Sequence, residues 1–112
     1  MKRKYSLKNK QIIDNLFKNT KPKKNDYFLV YLQKVEQKNF KFLIGIGKKY
    51  GNAVRRNLMK RKIRYIIYDI KDKIKPENTF ALVVSNRTKE LTFTELRKEL
   101  TRILIKTKVM EL

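Results

Sequence analysis

The sequence predicts an α/β (α+β) two-layer sandwich, in which a small sheet packs against helices. Three observations support this fold class. The 112 residues are the size of one compact domain, and 41% of them are apolar, which is enough for a single core. Strand-like segments alternate apolar and polar side chains, and other segments repeat apolar residues at helical spacing. The predicted order is α-β-β-(β)-α-β-α, in one domain over residues 1–112.

The first helix is predicted over Leu7–Asn19, with Ser6 placed to cap its start. Its apolar residues recur at helical spacing, namely Ile12, Ile13, Leu16 and Phe17. Residues 20–25 contain Pro22 among lysines and indicate a loop. We therefore expect a helix that leads through a loop into the first strand.

Residues 26–35 alternate in the manner of a strand. One face carries Phe28, Val30 and Leu32, and the other carries Tyr27, Leu29 and Tyr31. The second face is unusually aromatic for a surface in water, so we expect that another element covers it or that it binds a ligand. Residues 40–48 predict a second strand that forms a hairpin with the first, and an additional short strand is allowed for at residues 48–50.

A long helix is predicted from Asn52, as its N-cap, to about Lys73. Residues 75–78 end this helix, and residues 79–85 predict the third strand. Thr92 and Glu95 form a capping-box pattern before a last helix. The apolar stripe of that helix comprises Phe93, Leu96, Leu100, Ile103 and Leu104.

The charge of the chain predicts a polyanionic partner. Thirty Lys and Arg against ten Asp and Glu leave a formal net charge of +20, far more than solubility requires. Binding to an anionic membrane would need an apolar stretch, a lipidation signal or an amphipathic anchor, and none is visible. Nucleic acid is therefore the expected partner, with no membrane, and the lack of an apolar targeting segment and of cysteine favours a cytoplasmic location.

The residue inventory is poor for protein-based catalysis. There is no His and no Cys, so the usual proton shuttle, thiol nucleophile and zinc ligands are missing. Asp69 and Asp72 lie close together on the long helix, but nearby lysines favour ion pairing over a hydrated Mg²⁺. We expect no catalytic residue and no metal site in the protein.

The long helix has two contrasting sides. Its core-facing stripe comprises Met59, Ile63, Ile66, Ile67 and Ile70. The opposite side presents Asn57, Lys60, Arg61, Arg64 and Tyr68. No acidic residue lies between Tyr50 and Tyr68, which disfavours the alternative of an ordinary solvated face, and the pattern indicates phosphate binding.

The segment GKKYGNAVRRNLMKRKIR resembles the signature of the bacterial ribonuclease P protein family. The residues on motif positions are Lys48, Lys49, Gly51, Asn52, Ala53, Val54, Arg56, Asn57, Lys60, Arg61 and Arg64. There are two departures: Gly47 stands where the family commonly has Ser, and Leu58 stands where the motif has its second Arg. Leu58 is expected to weaken one RNA contact.

The resemblance implies the protein subunit of an RNA-based endoribonuclease that removes the 5′ leader from precursor tRNA. It implies that the RNA subunit performs the chemistry with Mg²⁺ that it holds itself, so no cofactor is held by the protein alone. The implied partners are ribonuclease P RNA, at one protein per RNA, and precursor tRNA with its leader. The protein would broaden the substrate range and lower the Mg²⁺ requirement. The implied fold has a left-handed β-α-β crossover, as in the second domain of ribosomal protein S5.

The resemblance also implies two binding surfaces. The surface for the catalytic RNA comprises Lys48, Lys49, Asn52, Arg55, Arg56, Asn57, Lys60, Arg61 and Arg64. The leader cleft, between the first helix and the sheet, comprises Ile13, Phe17 and Tyr31, with Ile13 in place of an aromatic residue. A place in the core is the alternative for both Phe17 and Tyr31, more so for Phe17 than for Tyr31. Arg87, at the end of the third strand, is a weaker candidate for RNA contact.

Two other functions suit parts of the pattern. A ribosomal or other structural RNA-binding protein would have the same charge and the same aromatic strand face. A protein that cleaves RNA by itself would need an acidic metal-binding cluster or a general base, and the sequence offers neither.

Overall fold

The computed structural model describes residues 3–111 of the chain. These residues fold into three α-helices and four β-strands. The helices are α1 (Lys10–Asn19), α2 (Ala53–Asp69) and α3 (Phe93–Lys106), and the strands are β1 (Lys23–Lys24), β2 (Phe28–Lys34), β3 (Lys41–Ile46) and β4 (Asn78–Val84). Short 3₁₀ turns lie at residues 3–5, 48–50, 71–73 and 86–90. No helix within residues 3–111 is long and apolar enough to cross a bilayer.

The four strands form one mixed sheet in the order β1-β2-β4-β3. β2 pairs with β4 in antiparallel register, from Phe28 opposite Val84 to Lys34 opposite Asn78. β4 pairs with β3 in parallel, from Lys41 beside Thr79 to Ile46 beside Val84. The small α/β fold that the sequence predicts is thus confirmed.

The predicted hairpin between β2 and β3 is wrong, because β4 lies between them. Phe80, Ala81 and Leu82 of β4 are all fully buried, so this strand is covered on both faces. A strand that is apolar on both faces belongs in the centre of a sheet and not at its edge. β3 and β4 are instead joined through α2, which is the connection that parallel neighbours require. The left hand of this crossover stays a prediction.

The main core lies between α2, α3 and one face of the sheet. The sheet contributes a row of stacked aromatic rings, in which Phe42 lies 5.4 Å from Phe80 and 6.1 Å from Phe40. The predicted α2 stripe is buried here in full: Met59, Ile63, Ile66, Ile67 and Ile70. Burial of these side chains, about 1.5–3 kcal/mol each, holds α2 on the sheet.

A smaller cluster covers the other face of the sheet. Leu16 of α1 is fully buried and packs with Leu7 and Ala81, and Tyr31 and Leu43 are half-buried around them. The aromatic face of β2 is therefore covered by α1, but only in part. The sheet residues next to α1, Tyr31 and Leu43, therefore stay partly accessible.

The start of α1 differs from the sequence prediction. Asn9, not Ser6, is the N-cap, and its Oδ1 accepts hydrogen bonds from the N–H groups of Gln11 and Ile12 at 3.0 and 3.2 Å. Ser6 instead bridges to Phe42 in parallel, and the Leu7 N–H donates to the Phe42 carbonyl at 3.0 Å. Residues 6–7 are thus held along the free edge of β3, so the helix begins later.

Three further boundaries differ from prediction. The additional strand lies at Lys23–Lys24, within the predicted loop, and pairs with β2. Residues 48–50, where a short strand was allowed for, form a 3₁₀ turn. α2 ends at Asp69, since residues 71–73 tighten into a 3₁₀ turn. The other two predicted N-caps are confirmed: Asn52 caps α2, and Thr92 with Glu95 forms a capping box on α3.

Candidate nucleic-acid interface

A row of polar and cationic side chains runs along the outer side of α2, opposite its buried stripe. We call it the basic ridge, and it comprises Asn57, Lys60, Arg61, Arg64 and Tyr68. Asn57 and Arg61 are exposed, and the other three are partly exposed. The ridge therefore presents its cations to solvent along about three turns of helix.

Within the part of the chain that the structure describes, the cations of the ridge have no acidic partner. The ion pairs found within residues 3–111 join Lys75 to Glu111, Arg87 to Asp26, Arg97 to Asp69 and Arg102 to Glu99. None of them involves Lys60, Arg61 or Arg64. Like charges at three- and four-residue spacing repel one another by a few tenths of a kcal/mol per pair. Such a surface gains most when an external polyanion binds it.

The N-terminal end of α2 adds further groups suited to anions. Lys48 and Lys49 are exposed on the 3₁₀ turn just before the helix. Gly51 has a φ of 154°, which only glycine adopts without strain, and a Cβ there would lie 3.2 Å from Arg55 Cδ. Asn52 Oδ1 accepts from the Arg55 N–H at 3.0 Å. The turn thus places two lysines just before the positive end of the helix dipole.

Arg56 lies one turn before Lys60 and is half-buried. Its Nε atom is buried and has no hydrogen-bond partner among residues 3–111. A buried donor without a partner is costly, typically about 1–3 kcal/mol. Arg56 therefore has unused hydrogen-bonding capacity next to the ridge.

Arg64 of the ridge lies close to the edge of β3 that residues 6–7 cover. Arg64 lines a small cleft with Ser6, Leu7 and three residues of β3, of which Leu43 is the one that also packs in the α1 cluster. The basic surface and the α1 face are thus neighbours, separated by one strand.

The three predicted leader-binding residues come together on the α1 face. The Phe17 and Tyr31 rings lie 4.7 Å apart in an edge-to-face arrangement. Phe17 is 38% exposed, whereas Ile13, one turn earlier on α1, and Tyr31 are half-buried. Phe17 is therefore not a core residue, and its side chain stays partly accessible to a ligand.

Two weaker candidates have partners of their own. Asp69 accepts a hydrogen bond from Arg97, and no group of three His, Cys, Asp or Glu residues able to hold a metal exists in the part of the chain that the structure describes. Arg87 lies 3.8 Å from Asp26 and 5.6 Å from the centre of the Tyr27 ring. These pairings compete with any role in metal or RNA binding.

One exposed apolar surface was not predicted from the sequence. Phe93 was expected in the apolar stripe of α3, but it is 42% exposed and lies 6.0 Å from the Tyr65 ring. Tyr65 itself is 63% exposed and falls between the buried stripe and the basic ridge of α2. The sequence did offer one signal, because Tyr65 belongs neither to the buried stripe nor to the basic ridge of α2. The contact between Tyr65 and Phe93 could not be predicted from either helix alone.

Comparison with known proteins identifies the family. The sequence model described as Ribonuclease P matches residues 1–108. The chain is 41% identical over 111 residues to the ribonuclease P protein component of Acholeplasma laidlawii, covering 99% of this chain and 96% of that protein. It is 36% identical over 112 residues to the corresponding protein of Enterococcus faecalis, covering 99% and 95%.

Solved structures agree with the sequence matches. The Staphylococcus aureus RNase P protein superposes with a TM-score of 0.87 at 28% identity, covering 96% of this chain and 98% of that one. The Thermotoga maritima protein gives 0.80 at 26% identity, covering 88% and 94%. The matches define a class, the protein subunits that act with an RNA in a ribonucleoprotein endoribonuclease. The chain belongs to the ribonuclease P protein family.

Proposed function

We propose that this chain is the protein subunit of the ribonucleoprotein that removes the 5′ leader from precursor tRNA by endonucleolytic hydrolysis. Family membership supports this, and the observation that carries it is the basic ridge of α2, whose Lys60, Arg61 and Arg64 have no ion-pair partners within residues 3–111. The RNA subunit and the Mg²⁺ bound to it supply the chemistry. The protein binds and positions the RNA, in the cytoplasm and as one copy per RNA.

The surface for the RNA subunit extends from the 3₁₀ turn along α2. It comprises Lys48, Lys49, Asn52, Arg55, Arg56, Asn57, Lys60, Arg61 and Arg64. Arginine suits this surface because its planar fork can hold a phosphate through two hydrogen bonds. Each phosphate contact releases counterions, so binding weakens steeply as salt rises. The same positive charge screens repulsion between RNA segments, which lowers the Mg²⁺ that the complex needs.

The leader of the precursor binds on the α1 face. The exposed side of Phe17, supported by Tyr31, offers an aromatic surface for an unpaired base, and Ile13 extends it with an apolar contact. Stacking on an aromatic side chain contributes about 1–3 kcal/mol per base and tolerates any sequence. Such contacts broaden the substrate range, because they recognise the leader without reading its bases.

Binding preference tests this proposal. With the cognate RNA subunit present, the protein should bind a precursor tRNA more tightly than the mature tRNA that lacks the leader. A ribosomal or other structural RNA-binding protein has no reason to distinguish the two. Equal affinities would contradict the proposal, and RNA cleavage by the purified protein alone would overturn the assignment of chemistry to the RNA.

A further inference from the structure

A second surface on α2 combines exposed apolar groups. We call it the aromatic shelf, and it comprises Val54, Leu58, Tyr65 and Phe93. Val54, Leu58 and Tyr65 lie within an arc of roughly 40° at 100° per residue, between the basic ridge and α3. Their exposed fractions are 76%, 49% and 63%, and Phe93 of α3 adds its ring 6.0 Å from that of Tyr65. Large apolar groups clustered in this way mark interaction sites more often than chance.

A cationic pocket adjoins the shelf. Three cations line it, namely Arg55 and Lys62 of α2 and Lys89 of the turn before α3, together with Tyr50, Leu58 and Met59. Its volume is about 240 Å³, and no carboxylate is among its lining residues. Lys89 Nζ lies 4.9 Å from the centre of the Tyr50 ring, which holds its charge at the pocket. Leu58 belongs to both pocket and shelf, so the two form one continuous surface.

The charge around this surface indicates which kind of ligand it binds. Asp69, one turn beyond Tyr65, is engaged by Arg97 and so does not offset the three cations. Leu58 stands where the family motif has its second Arg, so this chain offers an apolar contact where the motif offers a charge. Aromatic rings beside a cationic pocket match a nucleotide, which has both a stacking surface and a phosphate.

We infer that the shelf and the pocket form a second nucleotide site, which takes an unpaired nucleotide of the RNA subunit. Its phosphate lies among Arg55, Lys62 and Lys89, and its base stacks on Tyr65 and Phe93. The base must be unpaired, because a paired and stacked base has no free face to offer. The site is separate from the leader surface, which lies across the sheet. This inference rests on the proposed function, since it takes the same RNA as partner.

The affinity of the full-length protein for the cognate RNA subunit, measured over a range of salt concentrations, tests the site. The double variant Tyr65→Ala/Phe93→Ala should bind about 5- to 150-fold more weakly, as expected from about 1–3 kcal/mol of stacking, with an unchanged salt slope. Lys62→Ala/Lys89→Ala should reduce the magnitude of the slope of log K against log salt by about 0.7–0.9, because one RNA phosphate is no longer neutralised. Tyr65→Phe keeps the ring and should keep the affinity. If these residues had only a structural role, the aromatic variant would not lose affinity at an unchanged salt slope while the lysine variant changed that slope.

Chemical probing supplies the second readout. At saturating protein, one unpaired nucleotide should be protected by the wild-type chain and exposed with Tyr65→Ala/Phe93→Ala. Wild-type affinity and an unchanged footprint in this variant would overturn the inference. If the variant instead lost self-association while RNA affinity stayed unchanged, a second copy of the chain would be the occupant. If the wild-type protein did not bind the RNA at all, the proposed function would fail as well; if only Arg61→Ala/Arg64→Ala weakened binding, this inference alone would fail.

Discussion

The ring of Phe17 on α1 meets the ring of Tyr31 on β2 edge to face, with their centres 4.7 Å apart. The contact joins a helix to the centre of the sheet and leaves 38% of Phe17 exposed. Tyr31 thus helps to fix the orientation of a ring on a partly exposed residue. An aromatic side chain held in place in this way loses little entropy when a base stacks on it.

Replacement of Phe17 tests this surface. Phe17→Ala should weaken binding of precursor tRNA to the holoenzyme by about 1–3 kcal/mol, because one base loses its stacking partner. Binding of mature tRNA should not change, since it has no leader. Phe17→Tyr preserves the ring and serves as the control. Equal loss of affinity for both tRNAs would assign Phe17 to structure and not to the leader.

The salt dependence of RNA binding tests the role of the basic ridge. Arg61→Ala/Arg64→Ala should reduce the magnitude of the slope of log K against log salt by about 0.7–0.9 for each RNA phosphate that the variant no longer neutralises. The matched control is Lys98→Ala/Arg102→Ala, which removes the same charge from exposed positions of α3. If the control changed the slope equally, overall charge and not the ridge would govern binding.

The N-cap of α2 contributes to stability. Asn52→Ala removes the acceptor that holds the Arg55 N–H and should lower the free energy of unfolding by about 1 kcal/mol, measured in urea. Asn52→Asp keeps an acceptor oxygen and should lose much less. Equal losses in the two variants would show that the cap geometry is not the source of the effect.

The capping box of α3 makes the stability of the protein depend on pH in the acidic range. Hydrogen bonds from the Thr92 N–H and hydroxyl groups lower the pKa of Glu95 below its ordinary value of 4.5. A lowered pKa in the folded state means that the contribution to stability is present above pH 4.5 and is lost as pH falls through the folded-state pKa. Glu95→Gln keeps a capping side chain but has no charge to titrate. The difference in unfolding free energy between the two proteins should therefore shrink as pH falls, and a constant difference would contradict this.

Gly47 tests one departure from the family motif. Its φ of −71° is open to any residue, and a Cβ there would meet nothing within 4 Å. Gly47→Ser, which restores the common family residue, should therefore be neutral or raise stability by up to about 1 kcal/mol, through a less flexible unfolded chain. Thermal unfolding would measure it, and a lowered midpoint would show a constraint on this turn that the fold does not reveal.

Local pattern predicted much of this fold, but the arrangement of the sheet required tertiary information. The α2 stripe and the N-caps of α2 and α3 follow from spacing along one segment, so they were predictable. The central place of β4 depends on residues far apart in sequence, and the hairpin expected from adjacency was wrong for that reason. Asn9 caps α1 in place of Ser6 because β3 holds residues 6–7, which no local rule could indicate.

The candidate sites follow the same division. The basic ridge was predictable because a single helix carries it, and the leader residues came from resemblance to a family. The aromatic shelf was missed, because Tyr65 and Phe93 meet only when α2 and α3 pack together. Sites made by one element can be read from sequence, and sites made by two need the structure.

Cleavage of precursor tRNA at low Mg²⁺ by the cognate RNA subunit tests the central claim most directly. Three proteins should be compared: the wild-type chain, Arg56→Ala/Arg61→Ala/Arg64→Ala, and the charge-matched control Lys98→Ala/Arg102→Ala/Lys106→Ala. We predict that the wild-type and control proteins stimulate cleavage and that the triple arginine variant does not. No stimulation by the wild-type protein, or equal stimulation by all three, would contradict the proposed role of the basic surface of α2.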